Sequence, residues 1–392
     1  MSGTTFEINP FKAVADTGAI DGLAPWGHDD AFAFHRTMPG YWPTPLVARP
    51  DIAESLGLGE VWVKDESKRF GLNAFKALGA CYAAARVVRA QFAALGEDRP
   101  LESLFAAGAT PPCVTTLCAA TAGNHGRAVA YAARMLGQRA VIYVPASASL
   151  ARVETIRCED ADVRIVQGNY DDAVTICARD AEMRGWRIVS DMSWPGYEEV
   201  PGWIMAGYTT ILRELEDGLF PPDRPRIDLV MLQAGCGGLA AACAQWLVRR
   251  YGAHAPRMAI VEPMSAACCL ASIASPDGAL ASSYGREDSI MAGLNCGTPS
   301  LLAWTVLRAT LDVFIAIDDD YTRLAMRLLA DASGPIVAGE AGAAGLGGLL
   351  AIRDEAPQAV RDALRFGPAA QVLIINSEGA TDPAAYRAIV AG

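Results

Sequence analysis

The chain has 392 residues and a formal net charge of −11. That length predicts two to three domains with large buried cores, and 52% hydrophobic with 20% charged residues describes a globular chain, not a disordered one. The negative balance argues against nucleic acid and anionic membrane surfaces as partners, and no apolar run approaches the length of a membrane span.

MSGTTFEINPFKAVADTG lacks a basic region followed by an apolar core, so no signal peptide is expected and the protein reads as cytoplasmic. Ten cysteines are scattered with no C-x-x-C pair, and there are four histidines. Zinc-site spacing and H-E-x-x-H are absent, so no metal is expected and most cysteines read as buried, reduced thiols.

Residues 1–40 read as irregular, with a short helix around residues 29–37. Tyr41-Trp42-Pro43-Thr44-Pro45-Leu46 is a rigid extended turn. Val61-Trp62-Val63 alternates as a short strand; Gly71 and Asn73 signal a turn; residues 74–86, rich in alanine, read as a helix. A punctuated surface connection follows over 94–112. Strands are then predicted at 113–118, 140–144, 163–166 and 188–190, with helices at 127–136, 149–158, 170–184 and 200–216. The last part offers strands at 227–233, 258–261, 312–316 and 371–375, and helices up to Arg250, over 319–330 and over 339–353. Short apolar strands alternating with helices mean βαβ units and a largely parallel α/β sheet.

Five segments stand where such a fold does chemistry. Lys76 falls in the first turn of its helix, where the dipole disfavours a cation, a placement that suits a nucleophilic amine as well as a plain surface lysine. The chain has only four lysines, Lys12, Lys64, Lys68 and Lys76, and arginine supplies nearly all other positive charge. Gly235-Cys236-Gly237-Gly238 follows a strand and opens a helix, presenting backbone N–H groups to a phosphate. A tight strand-to-helix turn is the plainer reading. With Ala240 and Glu262, the same loop also nearly matches a dinucleotide fingerprint. Thr121-Ala122-Gly123-Asn124-His125-Gly126 joins a strand to a helix, where open α/β sheets bind ligands. Asp191 and Ser377 each follow a strand, as turn formers also do.

KDESKRFGLNAFKALG resembles the lysine segment of the diaminopropionate ammonia-lyases, a branch of the fold type II pyridoxal-phosphate (PLP) enzymes that includes threonine dehydratase and tryptophan synthase β. The resemblance continues through TAGNHGRAVAYAA, DMSWPGYEEVPGWIMAGY, QAGCGG, IMAGLNCG, GEAGAAGLG and NSEGATD. It implies two interleaved three-layer α/β/α domains with mostly parallel sheets. Residues 1–112 would be an N-terminal segment and the first part of the large domain, 113–205 the small domain, and 206–392 the remainder of the large one. It further implies that Lys76 holds the cofactor covalently. Asn124, Gly235, Cys236, Gly237, Gly238 and Ser377 would bind the cofactor, with Ser377 at the pyridine nitrogen. Thr121, Ala122, Gly123 and His125 would hold substrate, and Asp191 would be catalytic. Cys268 and Cys296 match a cysteine pair near the active-site entrance. A homodimer is implied as well.

One departure bears on the substrate. The lyases usually read T-D-G-N-H-G, and this chain has Ala122 in place of the aspartate. The resemblance thus implies elimination of ammonia from 2,3-diaminopropionate, giving pyruvate and ammonia, with the L-isomer preferred. A serine- or threonine-type dehydratase of the same fold is the alternative, and a non-catalytic PLP-binding protein a remote one.

Overall fold

A computed structural model describes residues 3–12, 28–105, 111–121, 123–168, 170–331 and 334–392. Its chain divides into two compact units, one formed by Met1–Pro25, Pro43–Lys68 and Ile211–Gly392, the other by Trp26–Trp42 and Arg69–Thr210.

The first unit is built on seven strands: β1 (Thr5–Ile8), β2 (Leu46–Ala48), β3 (Glu60–Asp65), β8 (Leu229–Gln233), β9 (Arg257–Pro263), β10 (Val313–Ile317) and β11 (Gln371–Asn376). Their order in the sheet is β1-β10-β9-β8-β11-β3-β2. The five inner strands are parallel, and the two edge strands run antiparallel to them. Leu229, Met231, Val261, Ile315 and Ile374 face one core with Leu346, Leu349 and Leu350 of the helix Glu340–Glu355. The alternate residues Val230, Leu232, Ile260, Phe314 and Ile375 are equally shut from solvent. Both faces of the sheet are covered, the condition parallel sheets require, and this makes three layers.

The second unit holds four strands: β4 (Thr116–Ala120), β5 (Arg139–Pro145), β6 (Asp162–Val166) and β7 (Arg187–Ile188). They are parallel and lie in the order β6-β5-β4-β7. Cys118, Val141 and Tyr143 face the helix Tyr170–Arg184 through Ala173, Cys177 and Ala181, while Leu117, Ala119, Ile142 and Val144 are buried on the other side.

Several expectations shift. The helix read over 74–86 runs Lys76–Ala94 and belongs with the second unit, not with the first part of a large domain ending at 112. Its partners explain the assignment. Gly79 meets Ile204 and Tyr208 so closely that a Cβ there would lie 2.6 Å from each. The irregular N-terminus contains β1, paired with β10. The helix read over 200–216 is two pieces, Glu199–Tyr208 and Thr210–Arg213. At the break, the Thr209 hydroxyl donates to Ala206 O at 2.7 Å, a side-chain bond that competes with helix continuation.

Candidate active site

In the second unit, the turn that delivers Lys76 is forced by three left-handed residues: Phe70 (φ 49°), Gly71 (φ 72°) and Asn73 (φ 59°). Gly71 and Asn73 are the residue types that take this conformation readily; Phe70 is not. Arg69, almost wholly buried, anchors the stretch by donating to Trp42 O at 3.2 Å, and Arg127 donates to Leu72 O at 3.1 Å. Lys76 is the first residue of its helix, and no side chain caps that helix.

The Lys76 amine lies over the rings of Phe75 and Tyr208, 5.2 and 5.8 Å from their centroids. Those rings meet edge to face at 4.7 Å. Tyr208 reaches this place because its helix crosses the Lys76 helix at glycines. A Cβ on Gly207 would stand 2.6 Å from Leu78 O and 2.8 Å from Gly79 Cα. Lys76 Nζ donates to Asp191 Oδ2 at 2.5 Å, so a carboxylate offsets the unfavourable helix dipole.

Asp191 is held by the loop after β7. Val189 N extends the sheet ladder to Cys118 O at 2.8 Å. The Tyr197 hydroxyl accepts from Ser190 N at 3.0 Å and donates to Ile188 O at 2.9 Å. Trp194 stacks on Tyr197 with centroids 4.3 Å apart, across a tight turn that uses Gly196 at φ 87°.

His125 completes the group. It is buried, and its Nε2 lies 2.7 Å from Val189 O. A carbonyl can only accept, so the proton is assigned to Nε2. The bare Nδ1 then faces Asp191 Oδ2 at 3.7 Å. Burial pushes the His125 imidazole down, with Asp191 opposing and Lys76 reinforcing that shift. Burial would raise Asp191, but attraction to Lys76 and the Lys76 hydrogen bond, joined by His125 whenever that ring is protonated, hold it well below the usual carboxylate range. Near neutral pH this is an ammonium, a carboxylate and a neutral imidazole around one oxygen.

The loop after β4 orders its other residues around Thr121. Thr121 is buried, and its hydroxyl accepts from Gly123 N at 3.1 Å and Gly126 N at 3.4 Å, making the turn itself. Asn124 starts the helix Asn124–Met135 after Gly123. Gly126 is required, since a Cβ there would be 2.3 Å from Thr121 Cγ2. Ala122 lies outside the described residues. His125, expected at the substrate, turns to Val189 and Asp191.

In the first unit, β8 and β11 are adjacent parallel strands. Their carboxyl ends release Gly235–Gly238 and Ser377 respectively, so the sheet brings these two segments to one edge. Gly237 has φ 89° and begins the helix Gly238–Tyr251, which has no side-chain cap. A Cβ on Gly235 would come within 3.1 Å of Leu294 Cα, and one on Gly237 within 2.7 Å of Leu307 Cδ1. An uncapped helix start reached through bare backbone fits a phosphate: its first N–H groups have no helical acceptor of their own. The rival dinucleotide pattern loses its acid, because Glu262 is spent on capping the helix Cys268–Ile273, accepting from Cys269 N at 2.7 Å and Leu270 N at 2.8 Å. Ser377 is buried next to Asn376, which donates to Asp65 Oδ1 and Val337 O. Cys268 and Cys296 are free thiols.

Sequence reasoning missed Phe75, Tyr208 and Tyr197. A signal existed for Tyr208: Gly207 before it in GWIMAGY marks a close helix crossing.

A family model described as pyridoxal-phosphate dependent enzyme matches residues 37–377. The diaminopropionate ammonia-lyase of Salmonella typhimurium is 38% identical over 98% of this chain and 97% of its own length. That of Escherichia coli strain K12 is 40% identical over 91% and 89%. The Escherichia coli enzyme in complex with an aminoacrylate-PLP azomethine reaction intermediate superposes with a TM-score of 0.87 at 35% identity, covering 100% of this chain and 97% of its own. Threonine deaminase isoform 2 of Solanum lycopersicum, at 18% identity and a TM-score of 0.72, shares the fold. This chain belongs to the diaminopropionate ammonia-lyase family of pyridoxal-phosphate-dependent enzymes.

Proposed function

We propose that this protein eliminates ammonia from 2,3-diaminopropionate, L-isomer preferred, and that the product is hydrolysed to pyruvate and a second ammonia. The observation that carries the reading is the Lys76–Asp191 pair at 2.5 Å, set beside buried His125 in a chain of this family. Lys76 is the residue that holds PLP. The uncapped glycine loop Gly235–Gly238 takes its phosphate, Asn124 its phenolic oxygen, and Ser377 its ring nitrogen. Bound PLP supplies the electron withdrawal that acidifies the substrate α-carbon and lets the β-group depart.

The chain's own groups handle the protons. Lys76 Nζ, once released from the cofactor, accepts the α-proton of an L-substrate. That proton passes along the 2.5 Å Lys76–Asp191 hydrogen bond to Asp191 Oδ2, which hands it to the departing amine. Its proton affinity is conditional. With the Lys76 ammonium beside it, the carboxylate stays ionised; when that amine is engaged elsewhere, burial is left to raise it. His125, fixed through its Nε2–H to Val189 O, packs beside that oxygen on the Nδ1 side. Thr121 and Gly123 shape the turn that faces the substrate carboxylate.

A dehydratase of β-hydroxy amino acids is the second reading, favoured by Ala122, which offers a β-ammonium no carboxylate. The protein acts as a homodimer in the cytoplasm, and light scattering at micromolar concentration tests the dimer. The decisive assay is steady-state pyruvate formation from D- and L-diaminopropionate, D- and L-serine and L-threonine, with Lys76→Ala as control. Turnover highest on L-diaminopropionate, lost with the cofactor's visible absorbance in Lys76→Ala, is the expected result. Higher turnover on L-serine or L-threonine selects the dehydratase, and no turnover on any substrate removes both.

A further inference from the structure

His35 is a wholly buried histidine that the proton transfers above leave unused. It lies in the last turn of the helix His28–Thr37, within the second unit. Its Nε2 stands 2.8 Å from Leu78 O, and its Nδ1 stands 2.7 Å from Thr210 Oγ1. A carbonyl can only accept, so the proton is assigned to Nε2, and in that tautomer the bare Nδ1 accepts from the Thr210 hydroxyl. Phe34 and Tyr82 meet the ring edge-on, with centroids at 5.4 and 6.3 Å. Leu78 and Thr210 are themselves shut from solvent.

Both hydrogen-bond partners belong to the helix crossing that brings Tyr208 to Lys76. Leu78 O is the carbonyl against which Gly207 packs, and a Cβ there would stand 2.6 Å from it. Its second lone pair is the one His35 uses, beyond any helical bond. Thr210 opens the piece Thr210–Arg213, directly after the break at Thr209. One rigid ring thus joins the helix that carries Lys76 to the chain just beyond Tyr208. The glycines let the two helices approach, but with no side chains they do nothing to stop one helix sliding along the other. Directional hydrogen bonds from two sides of one imidazole resist that slide.

We propose, on the reading that Lys76 holds PLP, that His35 is a positioning residue for the reaction. It keeps the Lys76 and Tyr208 helices in register, and so keeps the Tyr208 ring centroid 5.8 Å from Lys76 Nζ. Side chains of different reach separate the two bonds. Glutamine carries an amide that can still donate to Leu78 O, whereas leucine fills the volume and donates nothing. Thr210→Val deletes the hydroxyl and leaves the imidazole in place.

The test compares holoenzymes of the parent, His35→Leu, His35→Gln and Thr210→Val. It reads kcat and KM on the preferred substrate, the visible circular dichroism of the cofactor, and the thermal midpoint. A displacement of about 1 Å can cost about 10²-fold in rate. His35→Leu should therefore lower kcat by up to about 10²-fold, with KM little changed and the visible dichroism reduced. His35→Gln should recover most of both, and Thr210→Val should shift the dichroism in the same direction by less. In a Tyr208→Leu background the effect of His35→Leu should largely vanish, because Tyr208 is the route by which it acts. A His35→Leu enzyme with a lower thermal midpoint but parental kcat and dichroism overturns the proposal, and so does full additivity with Tyr208→Leu. Should His35→Leu fail to fold, Thr210→Val decides, and parental dichroism in that variant overturns the proposal as well. Failure of the Lys76 reading shows separately, as cofactor absorbance that survives Lys76→Ala.

Discussion

Lys64 Nζ stands 2.5 Å from Glu214 Oε2, with side-chain exposures of 1% and 0%. The same ammonium donates to Thr44 O at 2.7 Å, and Glu214 also receives Thr44 N at 3.1 Å. This lysine ties the segment before β2 to the chain near residue 214, and it explains why a chain rich in arginine keeps an amine here. Lys64→Met strands a buried carboxylate and is expected to destabilise the protein by about 3–5 kcal/mol, while Lys64→Met/Glu214→Leu recovers most of that loss. Denaturant unfolding monitors both. A Lys64→Met protein of parental stability that no longer forms the cofactor adduct would transfer the cofactor role from Lys76 to Lys64.

The glycine crossing beneath Tyr208 makes a second prediction. Gly79→Ala forces a methyl to within 2.6 Å of Ile204 Cγ2 and Tyr208 Cε1 and 2.7 Å of Ile204 O. Overpacking of this kind typically costs about 1–3 kcal/mol. Because the helix that yields carries Tyr208, the ring moves off the Lys76 amine, and cofactor absorbance should shift along with the thermal midpoint. A purely thermal effect, with the absorbance unchanged, would show that Tyr208 has no part in setting Lys76.

Acid sensitivity follows from the His125 cluster. Burial depresses the folded-state pKa of His125 below the unfolded value of about 6.5. The unfolded chain therefore takes up more protons as pH falls below 6.5, and stability is lost in that direction. Asp191, also depressed, adds stability that is present above its unfolded value of about 3.9 and lost as pH drops through that range. His125→Gln removes the first contribution alone. The difference in urea midpoint between parent and variant should narrow from pH 7.5 to pH 5.5. A difference that stays constant or widens over that interval would contradict a neutral, buried His125.

Stereochemistry is the fourth. The two enantiomers of a PLP-bound amino acid present their α-hydrogens to opposite faces, and Lys76 serves one. Ala122 has no titratable group for the other. Losing a positioned base costs a factor of about 10²–10⁴, so kcat/KM for D-diaminopropionate should trail the L-isomer by that order. Ala122→Asp should recover part of it. Equal values for the two isomers in the parent protein would mean that another acid, such as Asp191, reaches the second face.

How far these features can be read from sequence depends on their range along the chain. The βαβ rhythm, the glycine loop and the Gly71–Asn73 turn are local patterns, and they stand close to where the residues placed them. Phe70 at φ 49° is illegible, because bulky residues seldom adopt that conformation, and what surrounds it, Arg69 pinned to Trp42 and the rings of Tyr41 and Tyr131, is assembled by the fold. Strand β1 escapes sequence reading because its pairing partner is some 300 residues away. The sequence marks Lys76 as a cation at an unfavourable helix start, whereas the carboxylate that compensates it, Asp191, arrives from 115 residues on. Thr121 and His125 do lie in the turn that the pattern picks out. The same residue types can face a ligand or fold the turn, and only coordinates separate the two.

Strand β1 also has a protective effect. Thr5–Ile8 covers the outer rim of β10, whose sequence VFIAI is wholly apolar. A variant starting at residue 9 would bare a row of unpaired amides and carbonyls on a strand with no charge and no proline, the kind of rim that recruits another chain. Such a truncation should keep its chemistry at high dilution and self-associate as it is concentrated. The first few residues thus act less as part of the catalyst than as the guard that keeps it from sticking to itself.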